Sequence, residues 1–214
     1  MNKSPSGIAG KFATIEMAQA IGHFTITWNL IEVTASEILA RYMKHEHEIS
    51  DAFFSALTNQ SRVSIIEKII NERENRQEVI DAYGHFFRCF SVVAENRNII
   101  SHSSVFWNDD QFPTRLRKLS KTRLGDWVFF KYDLESLIKC QSDAENVLVY
   151  GKTVLVAEVI NDLRTNPRKG LEHLLSTDPK TLALPGKPPL PSRLQVHPLE
   201  GDQDDQGPPQ SSPE

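Results

Sequence analysis

The sequence has few cysteines and no long apolar run, and each shortage excludes a class of protein. Cys89 and Cys140 are the only cysteines in 214 residues, too few for a disulfide framework or a four-cysteine zinc site. No window approaches the roughly 18 apolar residues that a membrane span requires, and the segment after Met1 lacks the apolar core of a secretory signal. We therefore expect a cytoplasmic protein with reduced thiols, no metal or other cofactor, and no membrane partner.

Charge of either sign is also in little excess. The chain carries 24 basic and 28 acidic residues, for a formal net charge of −4, and an acidic balance argues against a nucleic-acid partner. Residues 200–214, however, hold five acids and no base, so the remainder of the chain is close to neutral. The five acids are Glu200, Asp202, Asp204, Asp205 and Glu214. Bulk charge therefore neither supports nor excludes RNA.

Composition divides the chain into one folded region with polar ends. The hydrophobic fraction of 39% and the charged fraction of 24% suit one globular domain, which at this length needs no disulfide or metal to support its core. We predict that residues 1–10 and 181–214 are disordered and that residues 11–180 form the domain. Residues 184–191 contain two overlapping PxxP spacings. An SH3-like domain could bind them, but a flexible tail is the favoured interpretation.

Apolar residues recur at helical spacing through most of the folded region. A stripe with intervals of four and three residues predicts a helix over residues 11–43. Its members are Phe24, Trp28, Ile31, Ala35, Ile38 and Tyr42. Similar patterns predict helices over residues 49–57, over residues 62–74 with Ser61 as N-cap, from residue 77 onward, and over residues 134–163 with Asp133 as N-cap. The predicted fold is all-α, a bundle of four to five helices, in which residues 127–132 could form one strand of a small β-hairpin.

The helix that begins near residue 77 carries a charge where its apolar stripe continues. Phe86, Phe90 and Val93 follow the helical rhythm, and the next inward position is Arg97. A charge at such a position is costly unless it is paired or partly hydrated, and a violation of this kind often marks a functional site. We expect this helix to pack antiparallel to the first one. Four residues should be buried together in that contact: Trp28, Ile31, Phe86 and Phe90.

Two candidate site residues follow Arg97 on the same helix. Asn98 and His102 are four residues apart and share a helix face, whereas Arg97 and His102 are separated by roughly 140° around a regular helix. The offset predicts either that the helix loosens here or that a second subunit completes the site. The structural alternative is that Arg97 pairs with an acid such as Glu95 or Glu32, while His102 caps the helix C-terminus, where a cation is favoured.

The run Arg97-Asn98-Ile99-Ile100-Ser101-His102 resembles the signature of the HEPN superfamily, which is Arg, a polar residue that is often Asn, three variable residues and His. The resemblance covers six residues sharply and residues 11–165 in architecture. It implies a helical bundle that pairs as a homodimer and a metal-independent endoribonuclease that leaves a 2′,3′-cyclic phosphate. His102 is then the general base or general acid, and Arg97 holds the scissile phosphate. Asn98 is expected to orient His102 or the phosphate.

The family resemblance also implies a biological role and extends the candidate site. By analogy the protein acts as a toxin or defence effector whose partners are RNA and an antitoxin or regulatory protein. Glu32 and Ser101 are candidate supporting residues. A run of bases is a candidate RNA-backbone contact, with a solvated loop as its alternative. The run consists of Arg115, Arg117, Lys118, Lys121 and Arg123.

Some residues depart from the family pattern. Ser103 follows the histidine where many relatives have glycine. Ser104 stands in place of the tyrosine that nucleotidyltransferase antitoxins modify, so that mode of regulation does not carry over. Arg168 and His173 repeat the Arg–His spacing without the asparagine, which we interpret as chance. Two other hypotheses stay open: a non-catalytic HEPN-like module that binds nucleotide, RNA or protein, and a structural helical protein in which the motif is coincidence.

Overall fold

Five helices and three short strands make up most of the part of the chain that the structure describes. A computed structural model describes residues 14–43, 47–106, 115–119, 126–166 and 183–196. The helices are α1 (Ile15–Met43), α2 (His47–Ser55), α3 (Asn59–Arg73), α4 (Gln77–His102) and α5 (Leu134–Thr165). The strands are β1 (Ser104–Phe106), β2 (Arg115–Leu119) and β3 (Trp127–Lys131). The predicted helical bundle with a small β element is confirmed.

Helices α1 and α4 pack antiparallel within the hydrophobic core. The rings of Trp28 and Phe90 have centroids 4.9 Å apart, and those of Tyr42 and Tyr83 are 6.0 Å apart. Early residues of α1 therefore lie beside late residues of α4, as the matching stripes predict. Full burial of an aromatic or aliphatic side chain contributes about 1.5–3 kcal/mol. The four predicted core residues are all buried in this one core: Trp28, Ile31, Phe86 and Phe90.

Helix α5 completes the core beside α1 and α4. Its predicted N-cap is confirmed, because the Asp133 side chain accepts a hydrogen bond from the Ser136 backbone N–H at 2.7 Å. At Gly151, an added Cβ would lie 2.3 Å from Cε2 of Phe86, which is fully buried. Because neither backbone nor ring can easily move, glycine is what allows α5 to approach α4 this closely.

The start of α3 differs from the prediction. Thr58 is its N-cap, and the Thr58 hydroxyl accepts a hydrogen bond from the Ser61 backbone N–H at 3.2 Å. The prediction that Ser61 is the cap is therefore wrong by three residues. Both are hydroxyl side chains suited to capping, and Ser61 instead supplies one of the backbone N–H groups that a cap must satisfy.

The three strands form one antiparallel sheet in the order β1-β2-β3. Leu116 of β2 is buried in a small cluster with Met17 of α1 and Leu137 of α5. One face of the sheet therefore covers the early parts of α1 and α5, while side chains of the other face point away from them. Because β1 begins only two residues after His102, the sheet continues directly from the helix that carries the motif.

Part of the C-terminal segment packs against the domain. Leu194 is buried and Leu184 is partly buried against the main core. The Asn96 side-chain amide donates to the Ser192 carbonyl oxygen at 2.8 Å and accepts from the Leu194 N–H at 3.0 Å. Val196 forms an isolated antiparallel bridge with β3. The prediction of disorder from residue 181 onward is therefore wrong for residues 183–196, because these long-range contacts do not show in composition.

The predicted disorder of residues 1–10 and of residues 197–214 concerns ranges that lie outside the described residues.

Cys89 and Cys140 are both free and buried. Burial raises the pKa of Cys89 to about 11 and that of Cys140 to about 12, so both are thiols at neutral pH. None of the described helices is both long and apolar enough to cross a membrane.

Candidate active site

The motif occupies the last turns of α4, which stays a regular helix through His102. Ser103 caps it, and the Ser103 N–H donates to the Ile99 carbonyl oxygen at 3.1 Å. Ile99 and Ile100 pack against the hydrophobic core. These apolar residues hold the end of the helix in place. The polar residues of the motif lie at the surface around them, with Arg97 and Asn98 partly buried and Ser101 and His102 exposed.

The side chains of Arg97 and His102 meet in spite of their offset around the helix. Nη1 of Arg97 lies 3.4 Å from Nε2 of His102, and it donates to Oδ1 of Asn98 at 3.3 Å. Neither a loosened helix nor a second subunit is needed for these two side chains to meet. The reason is the length of the arginine side chain, whose flexible stem lets the guanidinium curve towards the imidazole.

The acids named as structural partners of Arg97 are bonded elsewhere. Glu95 accepts from Nε of Arg193 at 2.6 Å, and Glu32 forms an ion pair with Arg62 of α3. Within the described ranges no carboxylate lies at salt-bridge distance from the Arg97 guanidinium. Its described polar neighbours are a neutral amide and an imidazole, so the arginine retains the capacity to bind an anion.

The two supporting residues differ in their position. The carboxylate of Glu32 pairs with the Arg62 guanidinium, which also donates to the Phe54 carbonyl oxygen at 2.9 Å, so the described partner of this candidate lies on α3 and not in the motif. The ion pair with α3 therefore gives Glu32 a structural role. Ser101 is exposed and directly precedes His102, so it lies at the site's surface.

Part of the basic run lies beside the motif. Nζ of Lys118 donates to the Asn98 carbonyl oxygen at 3.2 Å, which places a cation at the C-terminal end of α4, where the helix dipole favours one. Arg117, the residue before Lys118 in β2, has its Cζ 4.6 Å from the centroid of the Trp127 ring. Arg115 lies at the start of β2, whereas Lys121 and Arg123 lie outside the described residues. The solvated-loop alternative is therefore wrong for residues 115–119.

A buried amide just before the motif is a positioning feature that the sequence analysis missed. Asn96 is 1% exposed, and both polar atoms of its side chain bond to the 192–194 backbone. Asp143 of α5 accepts from the Ser192 N–H at 2.8 Å. The C-terminal segment is thus bonded both to α4, one residue before Arg97, and to α5, a rigid support of the kind that a functional site requires. A polar residue three positions after Val93 was the available signal.

Comparison with known proteins yields no match: no family model, no curated protein and no solved structure matches this chain. Membership of the HEPN superfamily therefore stays a prediction that rests on the six-residue motif and on the helix that carries it. In the residues that the structure describes, no group of three or more histidine, cysteine, aspartate or glutamate side chains could hold a metal ion.

Proposed function

We propose that this chain is a metal-independent endoribonuclease of the HEPN type, which cleaves RNA through the 2′-hydroxyl. The observation that carries the proposal is the 3.4 Å approach of the Arg97 guanidinium to the His102 imidazole at an exposed helix end. An imidazole can transfer protons near neutral pH, and a guanidinium can bind and stabilise a phosphate. The reaction needs both groups within reach of one phosphodiester.

The proposed reaction is an attack of the ribose O2′ on the adjacent phosphorus. The O2′–P bond forms and the P–O5′ bond breaks, which leaves a 2′,3′-cyclic phosphate and a 5′-hydroxyl. Neutral His102 accepts the proton from O2′ as general base. Arg97 contacts the non-bridging oxygens, where negative charge develops. The proposed role of Asn98 is to orient the phosphate through Arg97, because its amide oxygen accepts a hydrogen bond from the Arg97 guanidinium at 3.3 Å.

The departing O5′ must receive a proton, and a single copy of the motif offers one imidazole. We propose that a homodimer places a second copy of the motif opposite the first, so that one histidine acts as base and the other as acid. Light scattering at tens of micromolar should then give about twice the mass of 24.3 kDa. A monomer that cleaves RNA at full rate would remove the dimer from this scheme.

The ribonuclease proposal is tested by cleavage of single-stranded RNA in the presence of EDTA. Wild-type protein should cleave RNA and leave its 2′-deoxy analogue intact, since the attacking group is absent. Arg97→Ala and His102→Ala should each lose about 100-fold or more in rate, a usual effect of removing a charge-stabilising donor or a general acid–base. Circular dichroism should show unchanged helix content.

Matched controls come from the same helices. Arg88→Ala changes an exposed arginine on α4, and His23→Ala changes an exposed histidine on α1; both variants should cleave RNA as wild type does. His173→Ala tests the second Arg–His spacing and should have no effect. If no RNA is cleaved while the Arg97 and His102 variants lose RNA binding, the chain is a non-catalytic binding module. If both variants behave as wild type in every assay, the motif is structural.

The toxin or defence role and the antitoxin partner are part of the same proposal. Expression of the wild-type chain in a bacterial host should arrest growth, and His102→Ala should relieve the arrest. Growth that is arrested equally by both forms would contradict a toxic effect that acts through this site.

A further inference from the structure

The outer face of the sheet combines basic and exposed apolar side chains. Leu116 and Phe130 belong to the inner face, because both pack on the core. Side chains alternate along a strand and paired residues share a face, and the register pairs Arg117 with Phe129 and Leu119 with Trp127. The described residues that this places on the outer face of β2 and β3 are Arg117, Leu119, Trp127, Phe129 and Lys131.

Trp127 is the most informative residue of this face. It is 42% exposed, and its cross-strand partner Leu119 is 56% exposed. Leaving a large aromatic ring in water loses the stabilisation that its burial would contribute, and exposed apolar patches often mark binding sites. The Arg117 guanidinium lies 4.6 Å from the ring centroid, which is cation–π geometry. The ring is therefore held in place while much of its surface stays accessible.

This face begins close to the motif. Ser104 pairs with Arg117 across β1 and β2, and Ser104 is two residues beyond His102, a span of at most about 7.6 Å between Cα atoms. Cross-strand partners add about 5 Å. The Arg117 Cα is thus within about 13 Å of the His102 Cα. In addition, Lys118 of the same strand donates to the Asn98 carbonyl oxygen, which ties the sheet directly to the motif.

We propose that this outer face is a stacking surface for an unpaired base of single-stranded RNA, with Trp127 as the platform. The inference rests on the proposed function and adds to it the surface that holds an unpaired base near the cleaved phosphate. Aromatic platforms beside basic side chains are how proteins hold single strands. Strands β2 and β3 together hold four basic residues and no acid. Arg117 and Lys131 lie on this face, where Lys131 pairs with Asp133 at 2.8 Å, and Lys118 lies beside the motif. That charge favours a nucleic acid over an apolar protein surface.

The test measures binding separately from cleavage. The probe is a short fluorescein-labelled single-stranded RNA with 2′-O-methyl groups, which blocks the attacking oxygen, and the readout is fluorescence anisotropy with the full-length chain. Trp127→Ala should weaken binding about 10-fold or more, within the range found for loss of one stacked base. Trp127→Phe should retain most of the affinity because a π-face remains. The same sequence as a duplex should bind more weakly, since its bases are already stacked and paired.

The matched control is Phe53→Ala, which removes an aromatic ring of similar exposure (39%) from α2. It should bind the probe as wild type does. Trp127→Ala with wild-type affinity and unchanged circular dichroism would overturn the stacking surface. If Trp127→Ala fails to fold, Trp127→Leu and Arg117→Ala supply the same comparison: both should bind more weakly than Phe53→Ala, and equal affinities overturn the proposal.

The failure of this inference and the failure of the proposed function give different results. Cleavage that depends on His102, with an unchanged KM for Trp127→Ala, overturns the stacking surface and leaves the ribonuclease intact. Binding that depends on Trp127, with no cleavage of any RNA, supports the stacking surface and removes the catalytic claim. If both hold, Trp127→Ala should raise KM for single-stranded RNA about 10-fold while changing kcat by less than a few-fold.

Discussion

The two ends of α4 each present an arginine, and the two arginines have opposite surroundings. At the N-terminal end, Arg76 forms ion pairs with Glu74 and with Glu158, whose side chain is fully buried. At the C-terminal end, Arg97 contacts only an amide and an imidazole among the described polar groups. A cation matched by two carboxylates holds a fold together. A cation without such a match can accept an anionic ligand, and this difference favours Arg97 as the functional residue.

The titration behaviour of the N-terminal network fits a structural role. Burial raises the pKa of Glu158, and the Arg76 charge acts against that effect. Hydrogen bonding from Arg76 lowers the pKa of Glu74 to about 2. Tyr42 adds a hydrogen bond to Glu74 at 2.9 Å, so α1, α5 and the start of α4 are joined through one set of charges. Removing Arg76 would leave a buried charge without its counter-ion, which destabilises the fold.

The largest expected effect on stability is at the N-terminal end. Arg76→Ala should lower the free energy of unfolding by about 3 kcal/mol, because it leaves the buried Glu158 carboxylate without its closest cation. Arg97→Ala should change it by less than about 0.5 kcal/mol, as is usual for a partly exposed residue without an ion pair. Urea unfolding of the two variants checks the contrast. Equal losses would show that Arg97 also has a structural role.

Activity should show the reverse contrast. Arg97→Ala should lower kcat/KM for RNA by about 100-fold, equivalent to about 2.7 kcal/mol of transition-state stabilisation. Arg76→Ala, assayed at a temperature where it is folded, should lose no more than a few-fold. A steady-state cleavage assay measures both. Comparable losses of activity in the two variants would mean that the ion-pair network around Arg76 also shapes the candidate active site.

A smaller effect is expected where the C-terminal segment supports the motif. Leu194→Ala should lower the free energy of unfolding by about 2 kcal/mol, because it empties a buried position. Leu190→Ala is the matched control, since Leu190 is exposed and should cost less than about 0.5 kcal/mol. Thermal unfolding of the pair measures the difference. Identical melting temperatures would contradict docking of residues 183–196 in solution.

The smallest effect concerns pH. Because the pKa of Glu74 is about 2 in the fold, below its ordinary value of 4.5, its contribution to stability is present above about pH 4.5 and is lost as the pH falls towards 2. Glu158, whose pKa is raised, acts in the opposite direction. Glu74→Gln should therefore flatten the acid-side decline in urea midpoints, whereas Glu145→Gln, at an exposed position on α5, should keep it. An unchanged decline in Glu74→Gln would contradict this assignment.

Local pattern was sufficient for the helices and for the place of the motif. The stripe from Phe24 to Tyr42, the cap at Asp133 and the antiparallel contact of Trp28 with Phe90 all follow from spacing, because burying an apolar face at 3.6-residue period leaves few alternatives. The same rhythm put Arg97 at the end of the apolar stripe of α4. It could not distinguish Thr58 from Ser61 as a cap, since both side chains can make that bond.

Tertiary structure alone decided which polar groups from distant segments meet. Sequence by itself determined that Arg97, Asn98 and His102 share the last turns of one helix, but the approach of the guanidinium to the imidazole depends on side-chain conformation. Hydrogen bonds between residues about a hundred positions apart, such as those of Asn96 with the 192–194 backbone, carry no local signal. The same holds for the pairing of Glu32 with Arg62. Periodicity reports which face of a helix is buried, whereas the partner of a polar group depends on which distant segment packs against it.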